Sequence, residues 1–144
     1  MLEAMIQGLV PIFSPFSLLL MFIMVIYGII VGILPGIGII VAMVLMLPFA
    51  LSLPLKQALI VFGSIGGATA FAGSITAILV NVPGENTSIA TLMDGYPMTK
   101  KGEAGRAIGA CGMASNLSFF ISLMLIVALI PLVRIIVKAC GTPE

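Results

Sequence analysis

The stretch that decides the fold reads Gly63-Ser-Ile-Gly-Gly-Ala-Thr-Ala-Phe-Ala-Gly-Ser-Ile-Thr-Ala-Ile-Leu-Val-Asn-Val-Pro-Gly-Glu85, and it continues to Asp94-Gly-Tyr-Pro97. On a helix, its small and polar residues share one face and its bulkier residues mostly share the other. The small face consists of Gly63, Gly66, Gly67, Ala70, Gly73, Ser74, Ala77 and Asn81, and the bulkier face of Val61, Ile65, Ala68, Ala72, Ile75, Leu79 and Val82. In lipid, small residues let helices approach closely, whereas a hydroxyl or amide that faces hydrocarbon lacks partners. The pattern therefore predicts that the small face points into a bundle or a cavity.

The composition of the whole chain indicates an integral membrane protein. Hydrophobic residues make up 61% of the chain and charged residues 8%, and the mean hydropathy is +1.33. No charge occurs between Glu3 and Lys56, between Lys56 and Glu85, or between Arg106 and Arg134, and each gap can hold a span of about 20 residues. A net charge of +1 argues against a nucleic-acid partner, which would require a clustered basic face.

The hydrophobic pattern predicts one all-α transmembrane domain over residues 1–144, with about four apolar segments. These are 18–34, 39–52, 57–80 and 107–131, with a loop over 84–106. Within that loop a short helix is expected from Asn86 or Thr87 to Met93, followed by a turn at Asp94-Gly95. The positive-inside rule gives no orientation, because three basic residues fall on each side.

The second apolar segment is too short for an ordinary span. It provides about 14 residues, or about 21 Å of helix, against a hydrocarbon core of about 30 Å. Pro35-Gly36-Ile37-Gly38 interrupts the chain just before it. Two interpretations are open: a Pro-Gly kink within ordinary spans, or a broken, re-entrant helix whose exposed N-terminus offers N–H groups to an anion.

Catalysis and metal binding are not expected. No acid, base or nucleophile-plus-base pair falls within an apolar segment, which argues against an enzyme. The chain has no histidine, and its two cysteines, Cys111 and Cys140, lack the spacing of a zinc or redox motif, so we interpret both as packing residues.

Three groups of residues together resemble the large membrane permease subunit of the tripartite tricarboxylate transporters, the TctA type. They are Gly28-x3-Gly32-x2-Pro35-Gly36-x-Gly38; Gly73-Ser74-x-Thr76-Ala77-Ile78-Leu79-x-Asn81-x-Pro83-Gly84-Glu85; and Asp94-Gly95-Tyr96-Pro97 with Lys101-Gly102 and Ala104-Gly105. The resemblance covers about Ser14 to Pro131. It departs from the family at Ala72, where members tend to have glycine. Family members are also several times longer and repeat Pro-Gly-x-Gly in a second half.

The resemblance implies a multi-pass secondary transporter of the bacterial inner membrane. It would import carboxylates such as citrate by using an ion gradient, with a proton or sodium as the coupling cation and no other cofactor. The implied partners are a periplasmic solute-binding protein, a small membrane subunit and the missing C-terminal half of the permease. The alternatives are a small non-transporting membrane scaffold and a non-functional fragment.

A substrate site follows from the residues and the resemblance together. No arginine, lysine or histidine lies inside an apolar segment, so a carboxylate there would depend on backbone N–H groups, helix N-termini and Ser, Thr or Asn side chains. The predicted substrate-binding residues are Pro35, Gly36, Gly38, Gly73, Ser74, Thr76, Asn81, Pro83 and Gly84.

Overall fold

The computed structural model describes residues 10–140, and over this range the chain is helical without strands. A 3-10 turn at Val10–Phe13 precedes α1 (Pro15–Ile33), α2 (Gly38–Leu51) and α3 (Leu55–Val80); a second 3-10 turn, Asn86–Ser88, precedes α4 (Ile89–Lys100) and α5 (Ala104–Cys140). The chain divides into two compact units, one ending at Gly109 and the other beginning at Ala110. The all-α membrane fold expected from the sequence is confirmed, since α1, α3 and residues 104–130 of α5 are each long and apolar enough to cross a membrane.

Helices α1 and α3 lie side by side and run in the same direction. A Cβ atom at Gly28 would lie 2.8 Å from Ala68 Cβ, and one at Gly32 would lie 2.8 Å from Ala72 Cβ. A step of four residues on α1 therefore matches a step of four on α3. The hydroxyl of the buried Thr69 donates to the Gly28 carbonyl at 3.2 Å, so the close approach also satisfies a polar side chain.

Helix α2 contacts both of these helices. The Tyr27 hydroxyl, inside α1, donates to the Ala42 carbonyl, inside α2, at 3.2 Å. For this contact the chain must reverse at the intervening residues 34–37, so α2 runs antiparallel to α1. Of the two interpretations of the Pro-Gly element, the structure has the broken helix, with α1 ending at Ile33 and a separate 14-residue helix beginning at Gly38.

Over the first half of α3, the described residues cover the small face only in part. On the bulkier face, Val61 and Ile65 are fully buried, because α1 supplies glycines that permit close approach. On the small face, a Cβ atom at Gly66 would come within 3.1 Å of α2, whereas Cβ atoms at Gly63 and Gly67 would meet nothing within 4 Å among the described residues. That the whole small face points into a bundle or a cavity stays a prediction.

The region between α3 and α5 also differs from the prediction. The helix expected to end at Met93 runs on to Lys100, and Asp94-Gly95 lies inside it rather than in a turn. Gly95 packs on α3, where a Cβ atom would come 2.7 Å from Ile78 Cγ1. The Thr99 hydroxyl donates to the Ile78 carbonyl at 2.7 Å, so α4 is held against the last turns of α3 and satisfies a carbonyl there.

Helix α5 continues past the expected end at Pro131 to Cys140. In its residues 110–130 most of the large apolar side chains are exposed, among them Met113, Phe120 and Met124. A helix that is apolar on all sides is stable in lipid or against other membrane helices. Cys111 is half-buried and unpaired, whereas the Cys140 side chain lies outside the described residues.

Candidate functional site at the helix break

Three glycines from distant parts of the chain meet where α1 ends. After α3 ends, Asn81 adopts a left-handed conformation with φ of 61°, and the chain turns back along the helix. It returns to Gly73, about 10 Å before the C-terminal end of α3. Gly84 lies so close there that a Cβ atom would overlap the Gly32 carbonyl oxygen and come within 2.9 Å of Gly73 Cα. The Gly84 N–H also points to the Gly73 carbonyl at 3.5 Å.

This close approach places Glu85 at the N-terminus of α2. The Ile39 N–H donates to Glu85 Oε2 at 2.6 Å, across 46 residues of sequence. The first N–H groups of an α-helix have no partner within the helix, and they carry its partial positive charge. An anionic group therefore occupies the position that the sequence analysis assigned to the substrate.

The break is shaped by backbone that only glycine adopts easily. Gly36 and Gly38 have φ of 87° and 65°, in the left-handed region. These conformations let the chain leave α1 and enter α2 within a few residues. They also direct the first turn of α2 toward Glu85.

A cavity of about 310 Å³ lies between the start of α2 and the returning chain. Its lining consists of Gly36, Ile37, Gly38, Ile39, Ile40, Val41, Pro83, Gly84, Glu85 and Asn86. Among these lining residues Glu85 is the one with an ionisable side chain, so the lining carries a negative charge and no positive one. A small ligand in the cavity would lie near backbone polar groups, the Glu85 carboxylate and the Asn86 amide.

The predicted site residues separate into two groups in the structure. Gly36, Gly38, Pro83 and Gly84 line the cavity. The remaining five, which do not line it, are Pro35, Gly73, Ser74, Thr76 and Asn81.

Most of the second group shape the returning chain. Gly73 packs against Gly84, and Thr76 Oγ1 donates to the Gly73 carbonyl at 2.9 Å. The Ser74 hydroxyl lies 3.3 Å from that of the buried Ser88, which links α3 to the second 3-10 turn. Asn81 is exposed and ends α3, and Pro35 is exposed in the turn.

Sequence reasoning left Glu85 and Asn86 out of the site. The signal for Glu85 was present, since it is an acid that directly follows Pro83-Gly84 at the end of a charge-free gap. Its partner, the Ile39 N–H, belongs to the backbone, which no residue pattern reveals.

A second cavity of about 450 Å³ lies at the opposite end of α3, around Ser14, Ser17 and residues 54–57. Lys56 contributes a positive charge to its lining. This cavity is an alternative anion site to the one at the helix break. A substitution at Lys56 distinguishes the two sites.

Comparison with known proteins identifies the family. The model of the tripartite tricarboxylate transporter TctA family matches residues 18–144. This chain belongs to that family. Three glycines of the motifs that resemble the TctA family, Gly32, Gly73 and Gly84, meet at the helix break.

An uncharacterized 52.8 kDa protein from the TAR-I ttuC' 3' region of Agrobacterium vitis is 36% identical to this TctA-family chain over 132 residues. The match covers 91% of this chain and 26% of that protein, so the chain spans about a quarter of the relative's length. No solved structure matches the chain. Family membership and the apolar helices together place this TctA-family chain in a membrane.

Proposed function

We propose that this chain is one part of a permease that carries carboxylates, tricarboxylates such as citrate among them, across the bacterial inner membrane. The observation that supports the proposal most directly is the 310 Å³ cavity at the N-terminus of α2. A broken helix that ends inside a transporter is a recurring way to hold an anionic substrate without basic side chains.

The cavity would bind one carboxylate of the substrate. Gly38, Ile39 and Ile40, in the first turn of α2, line it, and their N–H groups carry the positive end of the helix dipole. Gly36, Pro83 and Gly84 would form the walls. In this proposal Gly73, Ser74, Thr76 and Asn81 hold the returning chain in place, and Pro35 belongs to the turn.

The negative charge of the substrate must be balanced by groups or cations outside the described residues. A tricarboxylate carries several negative charges, and the lining adds Glu85 without a basic residue. We therefore propose that coupling cations, protons or sodium, enter with the substrate and that the rest of the permease completes the site with a second break. A periplasmic solute-binding protein would deliver the substrate, and a small membrane subunit would complete the complex.

Asn86 provides a test, because it lines the cavity and is exposed. Asn86→Asp adds a negative charge with little change in shape. At about 6 Å from a substrate carboxylate the repulsion is about 2–3 kcal/mol with an effective dielectric constant of about 20. We expect the KM for citrate uptake to rise by about tenfold or more.

The measurement is uptake of labelled citrate into proteoliposomes that contain the complete transporter built around this segment. Asn86→Ala is the matched control, because it removes the amide without adding charge and should change the KM far less. Equal KM values for the two variants would count against this site. A large rise for Lys56→Gln in the same assay would move the anion to the other end of α3.

A further inference from the structure

The contact between Glu85 and Ile39 has a consequence for any anionic substrate. The Ile39 N–H lies in the first turn of α2 and already donates to Glu85 Oε2 at 2.6 Å. Hydrogen bonds from N–H groups to carboxylates are short and strong, and a helix N-terminus strengthens them further. A substrate carboxylate bound to the first turn of α2 would compete with Glu85 for this donor.

Glu85 and the substrate cannot both remain there as anions without repulsion. Two carboxylates that share one site oppose each other's charge. None of the other side chains that line the cavity is ionisable, so the lining supplies no cation to separate them. Glu85 is half-buried rather than enclosed, which leaves its side chain a route out of the contact.

We propose that Glu85 is an internal competitor of the substrate, a carboxylate of the protein that caps α2 when the cavity is empty and is displaced when a substrate carboxylate binds. This inference rests on the proposed function. Its exchange involves no covalent step: the Ile39 N–H changes acceptor, and the freed Glu85 carboxylate turns toward solvent or a coupling cation. The exchange keeps the N-terminus of α2 satisfied in both states.

The proposal predicts an unusual pair of effects for Glu85→Gln. The empty protein should become less stable, because a neutral amide oxygen is a weaker acceptor than a carboxylate at a helix N-terminus. The bound protein should lose nothing, because Glu85 has already left Ile39. By thermodynamic linkage the substrate should therefore bind more tightly, by about tenfold if the charged contact is worth about 1.4 kcal/mol more than the neutral one.

Two further variants separate competition from simple charge repulsion and from a general effect of removing an acid. Glu85→Asp keeps the charge but shortens the side chain by one methylene, so it should reach the Ile39 N–H poorly and also bind substrate more tightly. Glu103→Gln is the control, because Glu103 is outside the cavity and its carboxylate pairs with the exposed Arg106 at 3.4 Å. It should leave substrate affinity unchanged.

The experiment is calorimetric titration of citrate into the permease that contains this segment, purified in nanodiscs, together with thermal unfolding of each variant with and without citrate. Trimethyl citrate, which is uncharged, serves as the negative control ligand. We expect Glu85→Gln to lower the Tm of the empty protein, to lower the Kd for citrate by about tenfold, and to increase the rise in Tm that citrate causes.

The outcomes separate the two proposals. Binding by the wild type with the same Kd in Glu85→Gln and Glu85→Asp would overturn the competitor while leaving the proposed function intact. Weaker binding by Glu85→Gln would overturn it as well, since Glu85 would then be part of the bound site. No citrate binding by the wild type or by either Glu85 variant would overturn the proposed function and, with it, the competitor.

Discussion

Substituting Gly84 by alanine tests whether the close approach of three chain segments holds the helix break together. The added Cβ atom would overlap the Gly32 carbonyl oxygen, and it would lie 2.9 Å from Gly73 Cα and 3.0 Å from Thr76 Oγ1. Two of these neighbours are backbone atoms of packed helices, which cannot move aside as a flexible side chain can. The returning chain must therefore shift away from α1 and α3.

The size of the effect follows from the kind of contact. Overpacking a well-packed interior costs about 1–3 kcal/mol, and a clash with backbone belongs at the upper end of that range. For a domain of about 150 residues, a loss of this size corresponds to a fall in Tm of about 5–10 °C. Because Gly84 also lines the cavity, the shift changes the shape of the cavity wall, and citrate uptake should fall in the complete transporter.

Gly67→Ala is the matched control for this prediction. It adds the same methyl group to a glycine of α3, but nothing lies within 4 Å of the new Cβ atom among the described residues. Within a helix, alanine is favoured over glycine by about 0.5–1 kcal/mol, so the control should keep or raise the Tm. Thermal unfolding in detergent, followed by circular dichroism, compares the two variants. Equal Tm values would refute the reasoning.

Three further predictions concern the rest of the first unit. Thr99→Val removes the hydroxyl bonded to α3 at 2.7 Å and should lower stability by about 1 kcal/mol, whereas the same change at the exposed Thr87 should have little effect in the same unfolding assay. Asn81→Val should cost about 1–2 kcal/mol because Asn81 has φ of 61°, and Asn81→Gly should be tolerated; a similar Tm for both would contradict this explanation. Lys56 and Lys101 lie at opposite ends of α3. Cysteines introduced at these positions, in a background without native cysteines, should therefore react with an impermeant thiol reagent from opposite sides of the membrane. Labelling of both from one side would exclude that topology.

The membrane fold was predictable because it depends on quantities that the sequence contains directly. Charge-free gaps and segment lengths indicated the long helices, and Pro35-Gly36 indicated where the chain breaks. Which face of α3 is buried could not be predicted in the same way. That choice depends on the glycines of α1, and the pairing of Gly28 with Ala68 appears only when two helices are placed together.

The candidate site was predictable in part for a related reason. Motifs around Gly36 and Gly84 were expected to meet, and both line the cavity. The roles of Ser74 and Asn81 were harder to foresee, because a side chain that can bind a ligand can equally bond to its own fold. Ser74 lies beside Ser88, and Asn81 supplies a left-handed residue at a helix end.

Three glycines of the family motifs, Gly32, Gly73 and Gly84, bring separate segments of the chain into contact. At membrane depth a break in a helix leaves backbone groups without water, so each must find a partner within the protein. Here the contact of Gly84 with Gly32 and Gly73 brings the chain close enough for Glu85 to reach the Ile39 N–H. A larger residue at any of the three positions would separate the carboxylate from its donor. Gly32, Gly73 and Gly84 therefore lie together at one site, although they are separated in the sequence. The chemistry of the break depends on Glu85, the residue that these glycines bring into position.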